Sequence, residues 1–301
     1  MHVRRFRAAV LWRWHPGGVE LHPRLQRHAG WRGDRRRWLH LALGCCGGAG
    51  LGWTVGVEPR WLEVTEHAFP VPGLPPSLEG LTIAQLSDLH LASLGGLHER
   101  VLEELRRTSP QLVVISGDAV EEPARLPVLA ELCAALRAPG REVIATRGNW
   151  EHWGEVPLDD LRRTYQRSSA RLLVNEAALV GGVALMAVDD ACSGHADAGA
   201  AMRAAPVAPA RVLVTHAPGL LDALPAGAPR FDLALAGHTH GGQARAGTAT
   251  IWVPPGSGRF RAGRYDTAHG PAYVSRGIGT SVLPLRLMCR PELALFRLVR
   301  G

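Results

Sequence analysis

Five short apolar runs of this chain end directly in histidine, aspartate or asparagine, and this placement constrains the fold more than any other feature. The motifs, in chain order, are Ser87-Asp88-Leu89-His90, Gly117-Asp118, Gly148-Asn149, Thr215-His216 and Gly237-His238-Thr239-His240. Apolar runs alternate with helical patterns between Leu81 and Leu298, which is typical of a layered α/β domain. In such domains ligands gather at the carboxyl ends of the strands. The sequence therefore predicts that these polar side chains meet in one site.

The same alternation predicts the individual elements of the α/β fold. Strands are expected at Leu81–Leu86, Leu112–Ser116, Glu142–Thr146, Arg171–Val174, Val183–Val188, Arg211–Thr215, Asp232–Ala236, Ala272–Ser275 and Glu292–Leu298. Helices are expected at Leu97–Arg107, Ala124–Leu136, Leu158–Arg167 and Gly219–Leu224.

The polar residues of the motifs offer carboxylate, imidazole and one amide oxygen, with no thiolate. The candidate ligands are Asp88, His90, Asp118, Asn149, His216, His238 and His240. This mixture suits Mn, Fe or Zn, and it argues against a cysteine-type structural zinc site. Seven ligands exceed the need of one ion, whereas two ions that share a carboxylate would use all of them. The sequence therefore predicts two divalent metal ions as cofactors.

In this order, D-x-H, G-D, G-N, H and G-H-x-H resemble the motifs of the calcineurin-like metallophosphoesterase superfamily, and the resemblance spans Leu81 to Leu298. The resemblance implies a two-layer mixed β-sandwich flanked by helices. It also implies that one metal is bound by Asp88, His90 and His240. The other metal would be bound by Asn149, His216 and His238. Asp118 would bridge the two ions and count among the catalytic residues.

A site with two metals indicates the type of reaction. A hydroxide held between the ions can attack phosphorus in line while the ions neutralise the developing charge. No protein nucleophile is required, and the sequence shows no P-loop or Ser/His/Asp arrangement. We therefore expect a metal-dependent phosphoesterase that hydrolyses a phosphodiester or pyrophosphate bond of a phosphoester substrate.

One position departs from the family pattern. After G-N the family commonly has His followed by Asp or Glu, and the resemblance implies that this His protonates the leaving group. Here position 150 is Trp, within Gly148-Asn149-Trp150-Glu151-His152-Trp153. One explanation is a leaving group that needs little protonation, such as a nucleoside monophosphate leaving from a pyrophosphate. The other is that Trp150 packs over the site and that His152, water or the metals supply the acid, which makes His152 a candidate catalytic residue.

The N-terminal part of the chain differs in composition from the rest. Residues 1–37 form an Arg-rich arm, and residues 38–57 (WLHLALGCCGGAGLGWTVGV) carry no formal charge. About twenty apolar residues can span a bilayer, but six glycines dilute this run. The run is a signal anchor, an export signal with a twin-arginine-like start at Arg35-Arg36-Arg37, or a soluble, surface-lying or mis-started segment. We expect membrane attachment or export, then a Pro-rich linker at 58–78 and the metallophosphoesterase domain at 79–301.

The excess of positive charge is confined to the arm. Residues 1–60 hold 11 arginines and three acidic residues, whereas residues 61–301 hold 23 arginines and 24 acidic residues. A nucleic-acid-binding domain carries its basic patch on the folded body, so we expect no nucleic-acid partner. The positive-inside rule favours the periplasmic side for the body, with the cytoplasmic face of the membrane as the alternative.

Further segments resemble the bacterial membrane-associated or exported branch of the family. They are the arm, residues 275–281 and residues 283–292. Some members of that branch act on lipid-linked substrates, including UDP-diacylglucosamine, so the resemblance implies a lipid-linked or nucleotide substrate. Candidates for a lipid-facing rim, or for ordinary packing, are Trp252, Pro254, Pro255, Phe260, Leu283 and Leu285. Arg276 is a candidate for a phosphate contact or a surface salt bridge. Asp189 and Asp190 are candidates for residues that support the metal ligands or for residues of a turn.

Two alternative functions stay open at this point. A soluble-type phosphomonoesterase or protein phosphatase would use the same ligands, although the apolar segment weighs against it. A metal-binding scaffold without turnover would explain Trp150, although the complete ligand set weighs against it. The sequence leaves the metal identities, the exact substrate and the oligomeric state open.

Overall fold

The computed structural model describes residues 13–15, 18–20, 50, 52–247 and 249–301. The predicted arm lies outside the described residues except for a short hairpin, in which β1 (Arg13–His15) pairs with β2 (Gly18–Glu20). Of the predicted apolar segment, residues 38–49 and 51 also lie outside them. Within the described part of the chain, no helix combines the length and the apolar character needed to cross a membrane.

The described residues form strands, helices and short helical turns with the following bounds. The remaining strands are β3 (Glu63–Val71), β4 (Thr82–Leu86), β5 (Leu112–Ser116), β6 (Glu142–Thr146), β7 (Arg171–Leu172), β8 (Glu176–Val180), β9 (Val183–Ala187), β10 (Ala210–Val214), β11 (Leu233–Ala236), β12 (Arg245–Ala246), β13 (Ala249–Thr250), β14 (Gly263–Thr267), β15 (Gly270–Val274) and β16 (Glu292–Arg300). The α-helices are α1 (Gly96–Thr108), α2 (Leu126–Ala135), α3 (Asn149–Trp153), α4 (Leu158–Arg167), α5 (Ala198–Arg203) and α6 (Leu220–Ala223). Short π- or 3-10-helical turns lie at Trp53–Val57, Glu58–Arg60, Pro76–Leu78, Pro123–Arg125 and His240–Gly242.

Two mixed sheets of six strands form the centre of the domain. The first sheet has the order β3-β16-β4-β5-β6-β7, and the second has the order β14-β15-β11-β10-β9-β8. In the first sheet β4 to β7 are parallel, while β16 is antiparallel to β4 and parallel to β3. In the second sheet β9, β10, β11 and β15 are parallel, and the edge strands β8 and β14 are antiparallel to their neighbours.

Apolar side chains bury both faces of each sheet. One buried cluster lies between the sheets and joins, for example, Phe69 and Ile83 of the first sheet to Leu185 and Val212 of the second. A second cluster packs α1, α2 and α4 against the first sheet, and a third packs α5 and α6 against the second sheet. The layers therefore follow the order helices, sheet, sheet, helices, which confirms the predicted sandwich flanked by helices.

The segment at residues 58–78 differs from its prediction as a linker. Within it, Glu63–Val71 forms β3 and pairs with β16 along its whole length, so the sheet begins before residue 79. The sequence conceals this strand because Glu66 and Pro70 interrupt its apolar pattern. Proline is tolerated there because β3 is an edge strand, where a missing N–H leaves no ladder partner unpaired.

The carboxyl ends of the central strands in both sheets meet at one edge of the sandwich. There, Gln85 Nε2 donates to the Ala236 carbonyl at 2.9 Å, and Thr146 Oγ1 donates to the Val188 carbonyl at 2.8 Å. Each of these hydrogen bonds joins one sheet to the other. Because the five polar motifs follow β4, β5, β6, β10 and β11, this edge brings them together.

Candidate metal centre

All seven predicted ligands lie at this edge, and their side chains form two adjoining groups. In the first group, one ligand atom from each residue lies within 4.8 Å of the others; its members are Asp88, His90, Asp118 and His240. In the second group, Asp118, His216 and His238 meet the same limit. Asp118 belongs to both groups, which is the position that the family resemblance implies for a bridging carboxylate.

In the first group the histidine nitrogens face each other and a carboxylate. His90 Nε2 lies 3.1 Å from His240 Nε2. The same His90 atom lies 3.8 Å from Asp118 Oδ2, and His240 Nε2 lies 3.3 Å from Asp88 Oδ1.

The second group is completed by the side-chain amide of Asn149. Its Oδ1 lies 2.7 Å from His238 Nδ1 and 3.0 Å from His216 Nε2. His216 Nε2 is also 3.1 Å from Asp118 Oδ2 and 3.3 Å from His238 Nδ1. The structure thus places the asparagine beside the two histidines with which the sequence groups it.

The outward nitrogens of three histidines fix the orientation of their rings. His216 Nδ1 lies 2.8 Å from the Ser116 carbonyl, and His238 Nε2 lies 2.8 Å from the Pro255 carbonyl. His90 Nδ1 lies 3.0 Å from Glu121 Oε1. A carbonyl oxygen only accepts hydrogen bonds, so in the neutral ring the outward nitrogen donates and the inward nitrogen carries a lone pair.

This arrangement fits divalent cations. Imidazole nitrogens, carboxylate oxygens and an amide oxygen converge at distances of 2.7–3.3 Å, and when the rings of His216 and His238 are neutral their inward nitrogens carry lone pairs. Such a set of acceptors repels itself unless positive charge lies among them. Imidazole with carboxylate and amide oxygen is also the chemistry that Mn, Fe and Zn accept, and the outward hydrogen bonds are of the kind that orient metal-bound histidines.

The charge state of the buried groups favours the same conclusion. Burial opposes ionisation of Asp118, but the charge and hydrogen bond of His216 outweigh it and lower the pKa of the carboxyl to about 2. Burial and the charge of His216 lower the pKa of His238 to about 4. Burial also lowers the pKa of His240 well below its usual range. Asp118 is therefore ionised and both histidines of the G-H-x-H motif are neutral near pH 7, which are the forms that bind metal.

His216 shows how strongly this centre attracts a positive charge. Burial opposes protonation of its ring, but the neighbouring carboxylates, Asp118 first, raise the pKa of His216 well above its usual value. A divalent ion would satisfy the same negative charge.

The backbone at the ligands is strained. The φ angle is positive at five of them, with values of 46–70°: Asp88, His90, Asp118, His238 and His240. Non-glycine residues rarely adopt this left-handed conformation, and such residues cluster at functional sites, where it aims the side chain at its target.

Glu151, which is not among the predicted site residues, holds two of the ligand loops together. Its Oε1 accepts from the backbone N–H of Ala119 at 2.6 Å and of Val120 at 3.2 Å. Its Oε2 accepts from the N–H of Gly148 at 2.8 Å and of Asp118 at 3.1 Å. A glutamate three residues after a glycine at the start of a helix is the sequence signal that indicates such a cap.

The close approach of these loops requires glycine at position 148. A Cβ at that position would lie 2.2 Å from Asp118 Oδ1 and 2.5 Å from the Asp118 nitrogen. Gly148 therefore allows the loop after β6 to reach the bridging carboxylate.

The predicted catalytic residue His152 is half-buried and paired with a carboxylate. His152 Nε2 lies 2.8 Å from Asp189 Oδ1, and the side chains are 13% and 5% exposed. Trp150, in the place of the family histidine, packs its ring edge-to-face on His90 with centroids 5.7 Å apart. Its backbone N–H donates to Asp118 Oδ1 at 2.8 Å.

Other residues singled out by the sequence have structural contacts. Arg276 forms ion pairs with Glu63 at 3.0 Å and with Glu292 at 2.9 Å, which favours the salt-bridge alternative. Phe260 is fully buried in the core, which favours packing over a lipid-facing rim at this residue. Asp190 accepts from the backbone N–H of the turn that follows it, and its burial raises the pKa of the carboxyl to about 6.

The chain is similar to known proteins over most of its length. A family model described as "Calcineurin-like phosphoesterase superfamily domain" matches residues 81–269. The uncharacterized metallophosphoesterase YkuE of Bacillus subtilis is 29% identical over 285 residues, which cover 88% of this chain and 97% of the relative. Phosphodiesterase YaeI of Escherichia coli is 26% identical over 280 residues, which cover 88% of this chain and 99% of the relative. A crystal structure of a dimetal phosphatase from Danio rerio aligns with 66% of this chain and 88% of its own, with 12% identity and a TM-score of 0.40.

Proposed function

Because this chain belongs to the calcineurin-like phosphoesterase superfamily and is a hydrolase of phosphoric esters, we propose that it cleaves a phosphodiester or pyrophosphate bond. The name of the relative from Escherichia coli, a phosphodiesterase, supports this choice among phosphoric esters. The observation that carries the proposal is an aromatic wall beside the ligands, formed by Trp150 and Trp153.

The aromatic wall extends from the ligands to the surface. Trp150 contacts the ligand His90, and Trp153 packs edge-to-face on Trp150 with ring centroids 5.4 Å apart. The Trp153 side chain is 52% exposed. A diester carries an organic group on each side of phosphorus and a single negative charge. An apolar wall therefore suits its second organic group better than the dianion of a monoester.

In this proposal the seven ligands hold two divalent ions. Asp88, His90 and His240 would hold one ion, Asn149, His216 and His238 would hold the other, and Asp118 lies in both ligand groups. When bound, the ions supply Lewis-acid chemistry that polarises water and the phosphoryl oxygens. The chain's own residues fix the ring tautomers through the Ser116 and Pro255 carbonyls, and the Trp150 indole excludes water beside His90.

A comparison of two p-nitrophenyl esters tests the reaction class. Full-length protein loaded with Mn²⁺ should hydrolyse bis-p-nitrophenyl phosphate with a higher kcat/KM than p-nitrophenyl phosphate. Asp118→Ala should abolish turnover, whereas the matched control Asp159→Ala, on an exposed turn of α4, should retain it. A preference for the monoester would contradict the diester assignment. Absence of turnover of both esters by the metal-loaded protein would favour the metal-binding scaffold.

The role of the wall has its own test. Trp153→Ala should raise KM for the diester and leave KM for the monoester unchanged, because only the diester places a second organic group against the indole. Trp61→Ala removes another exposed tryptophan (44% exposed) elsewhere on the domain and serves as the control. An equal effect of Trp153→Ala on both esters would contradict the proposed use of the wall.

We also propose that residues 38–57 attach the chain to a membrane, with the domain on the periplasmic side. An exposed apolar patch supports this attachment, because it lies where the segment joins the domain. Its side chains are 43–59% exposed and belong to Trp53, Val55, Val57, Trp61 and Met288. Tryptophan is enriched at the boundary between membrane and water.

Buried hydrogen bonds hold this apolar patch rigidly on the domain. The Glu58 carboxylate is 3% exposed and accepts from Trp53 Nε1 at 3.1 Å and from the Cys289 N–H at 2.5 Å. Cys289 Sγ in turn donates to the carbonyl of the ligand His240 at 3.2 Å. The short path from the patch to a ligand supports a lipid-linked substrate over a free nucleotide.

Binding to lipid vesicles tests the attachment. The full-length protein should co-sediment with vesicles of mixed zwitterionic and anionic phospholipids, and the double variant Trp53→Ser/Trp61→Ser should bind more weakly. Trp153→Ser, which removes an exposed tryptophan outside the patch, should bind like the wild type. Equal binding by all three proteins would contradict the role of the patch.

A further inference from the structure

We propose that His152 donates the proton that the leaving group takes up, and that Asp189 is the residue that positions it. The inference rests on the proposed phosphodiesterase activity and identifies the proton donor for that same site. It replaces the histidine that the family pattern places at position 150 with a histidine two residues later.

His152 lies on the ligand-bearing face of α3. The helix begins at Asn149, directly after β6, and its asparagine side chain contacts His216 and His238. Residues three apart in a helix lie on the same face. His152 therefore projects on the side of α3 from which Asn149 reaches the second ligand group. Trp150 instead turns toward His90, in the first group.

Asp189 fixes the tautomer and the orientation of the His152 ring. Asp189 Oδ1 lies 2.8 Å from His152 Nε2, while its Oδ2 accepts from the backbone N–H of His195 at 3.0 Å. Burial opposes ionisation of Asp189, but its hydrogen bond with His152 and the nearby charges of His152 and Arg147 lower its pKa. The ionised Asp189 carboxylate accepts a hydrogen bond from His152 Nε2–H, so a protonated His152 ring has its second hydrogen on Nδ1 free to donate. No residue in the described part of the chain forms a hydrogen bond with that atom.

The loop that carries Asp189 also contacts the second ligand group. The N–H of Asp190 donates to Asp189 Oδ1 at 2.9 Å, and the N–H of Cys192 donates to Asp190 Oδ2 at 2.9 Å. Cys192 Sγ then lies 4.0 Å from Nε2 of the ligand His238. The pair of His152 and Asp189 is therefore joined to this group from both sides, through α3 and through the loop.

Backbone packing leaves the pair little freedom to separate. A Cβ at Gly194 would lie 2.5 Å from His152 Nε2 and 2.7 Å from Asp189 Oδ2. Glycine at this position lets the loop close over the hydrogen bond between the two side chains. The geometry is that of a general acid oriented by a carboxylate.

The proposed step balances without further reactants. As the bond between phosphorus and the leaving oxygen breaks, the electron pair goes to that oxygen and the proton moves to it from His152 Nδ1. The ring becomes neutral, keeps its hydrogen on Nε2 toward Asp189, and regains a proton from water before the next turnover. The Trp150 indole has no proton of suitable acidity for this step.

The dependence of rate on the leaving group tests the proposal with Mn-loaded, full-length protein. The substrates are a methyl p-nitrophenyl diester, whose leaving group departs without protonation, and a methyl phenyl diester, whose phenol has a pKa of about 10. His152→Gln should lower kcat for the phenyl ester by about 100-fold or more, the usual contribution of a general acid, and change kcat for the p-nitrophenyl ester little. Asp189→Asn should show the same selective loss to a smaller degree.

Controls separate the proton donor from a structural role. His195→Gln changes an exposed histidine of the same loop that contacts Asp189 only through its backbone N–H, so it should retain both activities. Bound metal and the thermal midpoint are measured for each variant, and His152→Asn serves as a second substitution if His152→Gln does not fold.

Three outcomes would overturn the proposal. Equal losses on both esters in His152→Gln would show a structural role, and no loss on either ester would favour a leaving group that needs little protonation. Failure of the wild type to hydrolyse the p-nitrophenyl diester would overturn the proposed function itself. That last failure is distinguishable because it is seen before any substitution at His152.

Discussion

Glu151 is the buried carboxylate at which two ligand loops converge, so replacing it with glutamine tests how the site is built. Each of its oxygens accepts two backbone N–H groups, from the loops after β5 and β6. The residue is 1% exposed, so water does not replace a lost acceptor. The substitution keeps the size of the side chain and changes one oxygen into a donor.

The size of the effect follows from counting these hydrogen bonds. In Glu151→Gln one oxygen still accepts two N–H groups, whereas the new NH₂ faces the other two. Each buried donor left without an acceptor costs about 1–3 kcal/mol. Two such donors give an expected loss of about 4 kcal/mol in the free energy of unfolding. That loss is a large part of the total free energy of unfolding of a typical domain, which is about 5–15 kcal/mol.

Urea unfolding followed by tryptophan fluorescence measures this loss. The slope of the free energy against urea should stay unchanged, since the surface exposed on unfolding is the same. Glu155→Gln, an exposed glutamate four residues later, is the matched control and should stay within about 0.5 kcal/mol of the wild type. A loss below about 1 kcal/mol in Glu151→Gln would refute the reasoning, because it would mean that fewer than two hydrogen bonds depend on the charged carboxylate.

Three other perturbations test the centre itself. EDTA should abolish hydrolysis, and Asp118→Asn should retain less metal than the wild type by elemental analysis, because Asp118 lies in both ligand groups. Gly148→Ala should lower metal content and activity because its Cβ would meet Asp118, whereas Gly95→Ala, where a Cβ meets open space, should keep both. Burial raises the pKa of Asp190 from 3.8 to about 6. The stability that the protonated Asp190 carboxyl contributes is therefore fully present below pH 3.8 and is lost as the pH rises through 6. In metal-free protein, urea unfolding should show that the free energy of unfolding of the wild type falls by roughly 3 kcal/mol between pH 3.8 and pH 6, and that Asp190→Asn lacks this fall. A fall of equal size in the variant would contradict the assignment.

The position of a strand in its sheet decides whether the sequence reveals it. The predicted bounds of β5 and β6 agree with the structure because both strands lie inside the first sheet, and all but Glu142 of their residues are buried. Strands β3, β8 and β14 escape prediction, and all three are edge strands. The polar residues of β3 and β14 reflect exposure on one side and do not differ from those of a loop, whereas β8 (EAALV) is short and mostly half-buried and shows no alternation.

The ligand set is readable from the sequence because each ligand follows a strand in a short motif with glycine or a second ligand. The groups that support the ligands are not, since they come from distant segments. His238 depends on the carbonyl of Pro255, and His90 depends on Glu121, which follows a different strand. Such contacts arise only when the loops fold together, and no local pattern specifies them. The same holds for His152, whose partner Asp189 lies 37 residues away.

The placement of the last strand has a consequence for synthesis of the chain on the ribosome. Strand β16 fills the space between β3 and β4, with nine residues paired to one neighbour and four to the other. Its two neighbours leave the ribosome long before it does, so they wait as open edges until β16 has been synthesised. A chain that stopped before Glu292 would leave those edges unpaired, ready to join strands of other nascent chains. Closure of the first sheet thus requires that translation has passed residue 300.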